Sequence, residues 1–484
     1  MKRRDFIKHA SCGAMGAGTL LSTLTSLGSV NGAVKKETTS PPEDYKAIVC
    51  ILLAGGMDSY NVLIPNGIGT NGDNGLAEYN AIRTDLAISN PLALNNPLAN
   101  SFRGRLSPYQ SFGVHPGMTG VRDLYNAGKL SFLSNIGTLV EPVADKTAYQ
   151  NSATKLPLGI YSHADQIMQW QTSVPQSRDA LGVGGRIADL LNASNQNEAI
   201  SMNLSFAGRN IFQRGNNITE YSLSNDIDPN KVGFETLPNW GNTGLLTELR
   251  NNAIDSMANE VYANVLKNTL GTTTKTSIAA FELLSQALQK VPSIPQGSYP
   301  YPNSNLGRDL EAIAKMISVR QEIGAKKQIF FVTVGGWDMH DNLVTGLAGK
   351  LPDVSSALRA FYNATEQLGV QNNVTTYTIS DFARTVTSNG QGSDHAWGGN
   401  MMVMGGSVNG GKIFGSYPKM NLDNNPHSVS FRGNFIPAIS TDEMYAELAL
   451  WYGVAPGQLP YVLPNLSNFY SYSSSNKPVG FMNY

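Results

Sequence analysis

The segment that decides the fold is residues 47–59, with the sequence AIVCILLAGGMDS. Seven apolar residues in a row are typical of a strand that is buried on both faces, as in a parallel sheet. Two glycines and an acid follow, which indicates a turn that carries Asp58 at the end of this strand. The pattern predicts a parallel sheet with a polar side chain at the carboxyl end of one of its strands.

Further strands and helices alternate along the chain. Apolar runs predict strands at 130–136, 328–334 and 374–379, and helical patterns at 310–323 and 354–368 precede the last two. This alternation is typical of an α/β fold with a mostly parallel sheet.

The middle of the chain has a different composition. Residues 195–305 are rich in Asn, Gln, Ser and Thr, with helical stretches at 245–266 and 277–291. We predict one α/β domain over residues 46–484, with these residues forming an inserted helical region.

Three of the predicted strands end in an acid, namely Asp58, Asp338 and Asp381. In open α/β sheets, ligand sites form at the carboxyl ends of the strands. Three carboxylates gathered there would repel one another unless a cation neutralised them. The acids therefore indicate a divalent metal site, and the alternative is that each acid caps the N-terminus of a helix.

Two histidines lie close to these acids in the sequence. His340 follows Asp338 by two residues, and His395 comes directly after Asp394. Mixed histidine and aspartate ligation suits zinc or manganese, whereas an all-oxygen subset of ligands suits magnesium or calcium.

The N-terminus has the pattern of an export signal. The chain begins MKRRDFIK, and the paired Arg3 and Arg4 are followed by a weakly apolar stretch rich in Gly, Ala, Ser and Thr. We expect a twin-arginine signal peptide over residues 1–33 and a linker over 34–45, with the twin-arginine translocase as partner and the periplasm or the extracellular space as destination. A short amphipathic helix and a retained anchor are the alternatives.

Composition narrows the class of protein. The 484 residues carry a net charge of −1, so no electrostatic attraction to nucleic acid or to an anionic membrane is expected. No segment after the signal has the roughly 18 uncharged apolar residues of a membrane span. Once Cys12 is removed with the signal, Cys50 alone cannot form an internal disulfide.

A series of ordered motifs resembles a known family. They are LAGGMDSYN at 53–61, VHP at 114–116, SH at 162–163, GGWDMHDN at 335–342, SDFART at 380–385, SDHAWG at 393–398, IP at 436–437 and ST at 440–441. On these motifs the chain is similar to the exported bacterial family catalogued as domain of unknown function 1501. That family is placed with the alkaline phosphatase and sulfatase group, which implies a three-layer α/β sandwich with one or two metals at the strand ends.

The resemblance also implies roles for individual residues. Asp58, Asp338, His340, Asp381 and His395 correspond to metal ligands. Phe382 stands where the group usually has a histidine, so a second metal is in question.

Three further residues receive roles from the resemblance or from their chemistry. Ser162 corresponds to the nucleophile. Asp394 either replaces the missing ligand or orients His395. Arg384 either binds an anionic substrate or forms a salt bridge with one of the acids.

The expected function is a metal-dependent hydrolase that acts on a small anionic substrate, a phosphate or sulfate ester. One alternative is a catalytically inactive relative that binds an anionic ligand or a partner. A second alternative is an exported structural or assembly protein.

Overall fold

The described part of the chain covers most of the predicted α/β domain. A computed structural model describes residues 45–67, 74–95, 98–99, 102–196, 200–218, 220–223, 225, 256, 260, 265–290, 299–472 and 475–484. The predicted signal peptide, almost all of the linker and most of the helical stretch at 245–266 lie outside the described residues, and these expectations stay predictions.

Strands occur along the described chain between residues 46 and 440. They are β1 Lys46–Leu53, β2 Leu63–Pro65, β3 Leu92–Ala93, β4 Leu98–Ala99, β5 Phe112–Val114, β6 Leu130–Gly137, β7 Asn203–Ser205, β8 Tyr221–Ser222, β9 Lys327–Val334, β10 Val374–Ser380, β11 Gly399–Gly405, β12 Lys412–Gly415 and β13 Ile439–Ser440.

Helices connect these strands. They are α1 Gly75–Arg83, α2 Thr119–Asn126, α3 Lys146–Gln150, α4 His163–Thr172, α5 Val183–Leu191, α6 Val265–Gln289, α7 Asn305–Ser318, α8 Leu343–Gln367, α9 Thr441–Tyr452 and α10 Leu459–Val462, with short 3₁₀ turns at Thr84–Leu86, Asn192–Ser194, Pro456–Gln458 and Leu466–Asn468.

One mixed, mostly parallel sheet forms the centre of the described fold and is flanked by helices. Its order is β4-β12-β6-β11-β10-β1-β9-β7-β8, with β13 also paired to β6. Strand β11 is antiparallel to both of its neighbours, and the other pairs in this sheet are parallel. The predicted α/β fold class is therefore confirmed.

The strands that precede the three acids are adjacent and end at the same level. Strand β1 lies between β9 and β10, and Leu53 pairs with Val334 on one side and with Ser380 on the other. Because parallel strands point the same way, the loops after residues 53, 334 and 380 leave the sheet at one common edge. This register brings the motifs that carry Asp58, Asp338 and Asp381 to that edge.

The predicted bounds are accurate for the central strands and less so for the helices. Strands β1, β9 and β10 lie within one residue of their expected limits. Helix α8 begins at Leu343, eleven residues before the expected start at residue 354, and it continues through Pro352, a residue that commonly ends a helix. Helix α7 spans Asn305–Ser318 because the Ser304 side chain caps it, so the expected range of 310–323 is shifted.

Among the described residues, no helix is both long enough and apolar enough to cross a membrane.

Candidate metal centre

The loops after β1, β9 and β10 touch one another at the sheet edge. Gly55 has a φ of +123°, and a Cβ there would lie 2.5 Å from the backbone nitrogen of Asp338. Gly56 has a φ of +78°, and a Cβ there would lie 2.3 Å from the ring of Phe382. Only glycine combines these conformations with such close contacts, so the Gly-Gly turn is what allows the three loops to meet.

Asp338 lies at the centre of a cluster of histidines. Its Oδ1 is 3.0 Å from His340 Nε2 and 3.4 Å from His395 Nε2, and its Oδ2 is 3.4 Å from His163 Nε2. The side chain is 46% exposed, so the cluster opens to solvent. Burial opposes ionisation, but the hydrogen bond and charge of Arg384, with the nearby His163 and His340, hold the pKa of Asp338 below its usual value.

His163 is held by a buried aspartate. Its Nδ1 is 2.6 Å from Asp381 Oδ2, while Asp381 Oδ1 accepts a hydrogen bond from the Gly55 amide at 2.9 Å. Because an ionised carboxylate can only accept, Nδ1 of His163 carries a proton, and in the neutral tautomer Nε2 then keeps its lone pair. That Nε2 atom is buried and has no hydrogen-bond partner among the described residues.

His340 is held in the same way by a second aspartate. Its Nδ1 lies 3.2 Å from Asp394 Oδ1, which also accepts from Asn389 at 3.2 Å. The other oxygen of Asp394 forms a short ion pair with Arg432. Burial tends to raise the pKa of Asp394, but these hydrogen bonds and the Arg432 charge keep it below its usual value. Asp394 thus fixes the ring of His340.

His395 is held by the backbone. Its Nδ1 lies 2.8 Å from the carbonyl oxygen of Tyr161, which can only accept, so Nδ1 is protonated and Nε2 carries the lone pair. A β-bridge between Arg384 and His395 fixes the loop that carries the ring. Burial lowers the pKa of His395 and the charge of Arg384 adds to this effect, and together they outweigh the hydrogen bond to Tyr161 and the charge of Asp338, which raise it. The lowered pKa favours the neutral imidazole, which is the form that binds a metal ion.

The three Nε2 lone pairs converge on the carboxylate of Asp338. Ligand atoms of His163, Asp338 and His395 all lie within 4.8 Å of one another. Nε2 of His340 is 2.9 Å from Nε2 of His395, and two lone pairs at that separation repel unless a cation or a proton lies between them. Histidines that bind metals almost always have the other ring nitrogen anchored to a carboxylate or a carbonyl, as all three do here. The residues present therefore fit a divalent metal ion.

Arg384 is fully buried beneath the cluster. It forms a short ion pair with Asp338 and donates to the carbonyl oxygens of Gly55 at 3.1 Å, Gly56 at 2.9 Å and Ser393 at 2.7 Å. Of its two expected roles, these contacts correspond to the salt bridge. The guanidinium thereby joins the loops of the three strands and orients Asp338.

Phe382 packs against two of the histidines. Its ring centroid lies 4.7 Å from that of His163 and 4.4 Å from that of His395, and the side chain is fully buried. The residue that the resemblance singled out as a departure thus forms an apolar wall of the cluster.

Asp58 lies in a different, closed environment. It is buried and forms a short ion pair with Arg83, which is also buried. Arg83 further donates to the carbonyl oxygens of Thr385 and Val386 at 3.1 and 3.2 Å, and to Asn61 Oδ1 at 3.2 Å. A guanidinium, not the histidine cluster, is the cationic partner of Asp58.

Ser162 is the N-cap of α4, the helix that begins with His163. Its Oγ accepts from the backbone nitrogen of Asp165 at 3.5 Å, and the residue is half-buried. The capping contact is long, so it constrains the hydroxyl only weakly.

The predicted site residues therefore separate into groups. Asp338, His340 and His395 form the cluster, Asp381 and Asp394 hold its histidines, and Arg384 holds Asp338. Asp58 is paired elsewhere, and Ser162 begins the helix that presents the third histidine. His163 was not among the predicted metal ligands. The Ser-His motif at residues 162–163 was the signal in the sequence that could have identified it.

Comparison with known proteins supports the family resemblance. The model of a family described as "Protein of unknown function (DUF1501)" matches residues 247–436. The resemblance to DUF1501 is confirmed. The matched range contains Asp338, His340, Asp381, Asp394 and His395. No curated protein matches the chain.

Two solved structures are distantly similar to this chain. The lipoteichoic acid synthase LtaP from Listeria monocytogenes is 9% identical with a TM-score of 0.29, and the match covers 84% of this chain and 78% of LtaP. Ps i-CgsB, solved in complex with k-i-k-neocarrahexaose, is 12% identical with a TM-score of 0.30, and the match covers 87% of this chain and 77% of that one. TM-scores this low carry no argument about the site of this chain, whose chemistry follows from its own contacts.

Proposed function

We propose that this protein is an exported, metal-dependent hydrolase that acts on phosphate or sulfate esters. The observation that carries the proposal is the convergence of three anchored histidine Nε2 atoms, from His163, His340 and His395, on the carboxylate of Asp338. Metal centres that activate hydrolysis have this combination of imidazole and carboxylate ligands with access from solvent.

The donor set favours a particular class of ion. Three imidazole nitrogens and one carboxylate suit zinc, and after it manganese. Magnesium and calcium prefer oxygen donors, whereas among the described residues the Nε2 side of the cluster offers the oxygens of Asp338 and mainly histidine nitrogens. Zinc is therefore the first ion to test among the four that the sequence left open, which are zinc, manganese, magnesium and calcium.

The charges around the cluster favour an anionic substrate once the ion is bound. In the described part of the chain, the carboxylates of Asp338, Asp381 and Asp394 contact two guanidiniums, those of Arg384 and Arg432, which leaves one net negative charge. A divalent ion reverses that sign and makes the site attractive to a phosphate or a sulfate group.

The chain's own residues orient the reaction. A bound ion would supply Lewis-acid stabilisation of an ester oxygen. Arg384 keeps Asp338 ionised and in place, and Asp381 keeps the lone pair of His163 turned toward the site. Phe382 excludes water from one side of the two histidine rings that it contacts, which strengthens electrostatic interactions there.

Two nucleophiles are compatible with this arrangement, a water molecule and the Ser162 hydroxyl. Ser162 directly precedes His163 in the chain, and its Oγ accepts a long hydrogen bond of 3.5 Å from the Asp165 amide. Replacement by alanine separates the two, because a water mechanism would retain most of kcat and a serine mechanism would lose it.

Export by the twin-arginine route is part of the proposal. It rests on the MKRRDFIK start and the weakly apolar stretch that follows it. Folded proteins that have already acquired a metal are suitable cargo for this route, and the mature chain would then act in the periplasm or the extracellular space.

Elemental analysis of the purified mature protein tests the proposal directly. We expect about one zinc per chain in the wild type and none in His395→Ala, with hydrolysis of a phosphate or sulfate monoester only by the loaded protein. A wild type that binds no metal after incubation with zinc or manganese contradicts the proposal.

A second candidate function is binding of an anionic ligand without turnover. The fully buried Phe382 and the commitment of Arg384 to Asp338 and to backbone carbonyls favour it. Zinc-dependent binding of a phosphonate, unchanged by Ser162→Ala and accompanied by no hydrolysis of either ester class, would support this candidate over the enzyme.

A further inference from the structure

A loop close to the cluster exposes a large aromatic side chain. Phe431 lies in the 428–435 loop and is 85% exposed, the highest value among the exposed large apolar side chains that the structure describes. Single exposed apolar residues are common, so exposure alone assigns no role. What sets Phe431 apart is how the rest of its loop is attached.

The base of the loop is firmly packed. Ser428 and Phe435 form an antiparallel bridge, and the amide of Val429 donates to the carbonyl of Asn434 at 3.0 Å. Val429 and Ile436 pack with Trp397 in a small apolar cluster that is separate from the main core. The exposed tip therefore stands on an ordered base.

The tip is also tied to itself and to the chain beneath it. The amide of Arg432 donates to Ser430 Oγ at 3.0 Å, and Ser430 forms a short hydrogen bond with Asn434. Gly433 has a φ of +78°, and a Cβ there would lie 2.1 Å from the side chain of Val386. The loop thus has little freedom to fold Phe431 back onto the protein.

Two residues of the same loop contact the residues that form the metal centre. Nδ2 of Asn434 donates to the backbone carbonyl of His395 at 2.8 Å. Arg432, the neighbour of Phe431, forms a short ion pair with Asp394, which in turn holds His340. Phe431 is therefore the neighbour in sequence of Arg432, whose side chain contacts the carboxylate that holds His340.

From these contacts we infer that Phe431 binds the alcohol part of the substrate while the metal centre holds its anionic group. This inference deepens the proposed function by naming the substrate class as esters of ring-bearing alcohols, in preference to esters of small aliphatic ones. A preordered aromatic face gains contact with a ring or an apolar surface at little entropic cost, because neither the loop nor its base has to be ordered on binding.

Binding of two phosphonates to the zinc-loaded, full-length protein tests the inference. Phenylphosphonate and methylphosphonate carry the same anionic group and are not hydrolysed, so calorimetric titration measures binding whether or not the protein turns over an ester. We expect the wild type to prefer phenylphosphonate, and Phe431→Ala to weaken that ligand by about fivefold with methylphosphonate unchanged. Phe431→Tyr should retain the preference.

Leu106→Ala is the matched control, because Leu106 is 77% exposed and lies outside the 428–435 loop. It should leave both affinities unchanged. Equal losses for the two phosphonates in Phe431→Ala, or an unchanged affinity for phenylphosphonate, overturns the inference.

Metal content separates this failure from failure of the proposed function. A wild type that binds no zinc ends the proposed function before Phe431 is examined. A wild type that binds zinc and shows the same phosphonate preference with and without Phe431 leaves the metal centre in place and overturns the role of Phe431 alone.

Discussion

Asp58 and Asp338 follow adjacent parallel strands, and each forms a short ion pair with a fully buried arginine. Their surroundings differ. Asp58 is 1% exposed, and its partner Arg83 is otherwise bound to loop carbonyls and an asparagine, whereas Asp338 is 46% exposed and faces three histidines. Both sites therefore combine an acid at a strand end with a buried arginine. One is a closed structural pair, and the other is an open site that can carry chemistry. Exposure and the neighbouring imidazoles distinguish the two.

Breaking the ion pair between Asp58 and Arg83 should give the largest effect, a loss of folding stability. Arg83→Met leaves Asp58 buried without a cationic partner, so we expect the free energy of unfolding to fall by about 3–5 kcal/mol. Denaturant titration measures the loss. Zinc content should be unchanged under conditions where the variant is folded.

The double variant Asp58→Asn/Arg83→Met provides the control for this prediction. Removing both charges should recover most of the stability, because no unpaired charge stays buried. A single variant as stable as the wild type would mean that the pair contributes nothing to folding.

Asp442 sharpens the comparison, because it is a buried acid whose side chain accepts hydrogen bonds from hydroxyl groups and forms no ion pair with an arginine among the described contacts. Asp442 accepts from Ser173 Oγ at 2.9 Å and from Ser440 Oγ at 3.2 Å, and burial raises its pKa to about 7. The folded state then binds more protons than the unfolded state between pH 4 and 7. Stability should fall as pH rises through that window, by at most about 4 kcal/mol from this group.

Asp442→Asn isolates this contribution, because an amide resembles the protonated acid and does not titrate. Burial also raises the pKa of Glu443, to about 8, so the wild-type slope contains more than one group. The variant should lose less stability than the wild type between pH 4.5 and 7.5 in denaturant titrations. Parallel pH profiles for the two proteins would contradict the assignment.

Replacement of His163, at the open site, should lower zinc affinity more than replacement of Asp58, the acid of the closed pair. His163→Ala removes a converging lone pair, and we expect zinc affinity to fall by more than about 100-fold, the upper value for residues that only support a ligand. Asp58→Asn should leave zinc affinity within about twofold. Competition with a chelating dye measures both, and loss of zinc in Asp58→Asn with retention in His163→Ala would reverse the comparison.

The aspartates that hold the histidines should have the smallest effects. Asp381→Asn should lower zinc affinity by roughly 10-fold or more, because its carboxylate fixes the tautomer and basicity of His163. Asp394→Asn should lower it less, since its contact with His340 is 3.2 Å instead of 2.6 Å. The same dye competition applies, and equal or reversed losses would show that hydrogen-bond length does not set the order.

The local patterns of the sequence predicted the framework of the site. Continuous apolar runs identified the three central strands, and the acids after them identified the edge where polar groups meet. The separate roles of these acids were not predictable, because Asp58 is paired by Arg83 from α1 and Asp381 is paired by His163 from α4, and neither partner is close in sequence.

His163 and Phe431 are two residues whose proposed roles could not be predicted from the sequence. A histidine at a helix start and a phenylalanine in a polar loop are ordinary features of a sequence. The roles that we propose for them depend on α4, which delivers the imidazole to Asp338, and on Asn434 and Arg432, which attach the loop to His395 and Asp394.

The sequence by itself therefore determined the α/β class, the three strand ends and most of the histidines and aspartates that meet there, because each depends on residues that are close together in the chain. The tertiary structure decided which acid is enclosed with an arginine in the interior and which one also faces histidines at the surface. Those partners lie tens to hundreds of residues apart, and only the register of the sheet and the packing of its loops bring them within bonding distance.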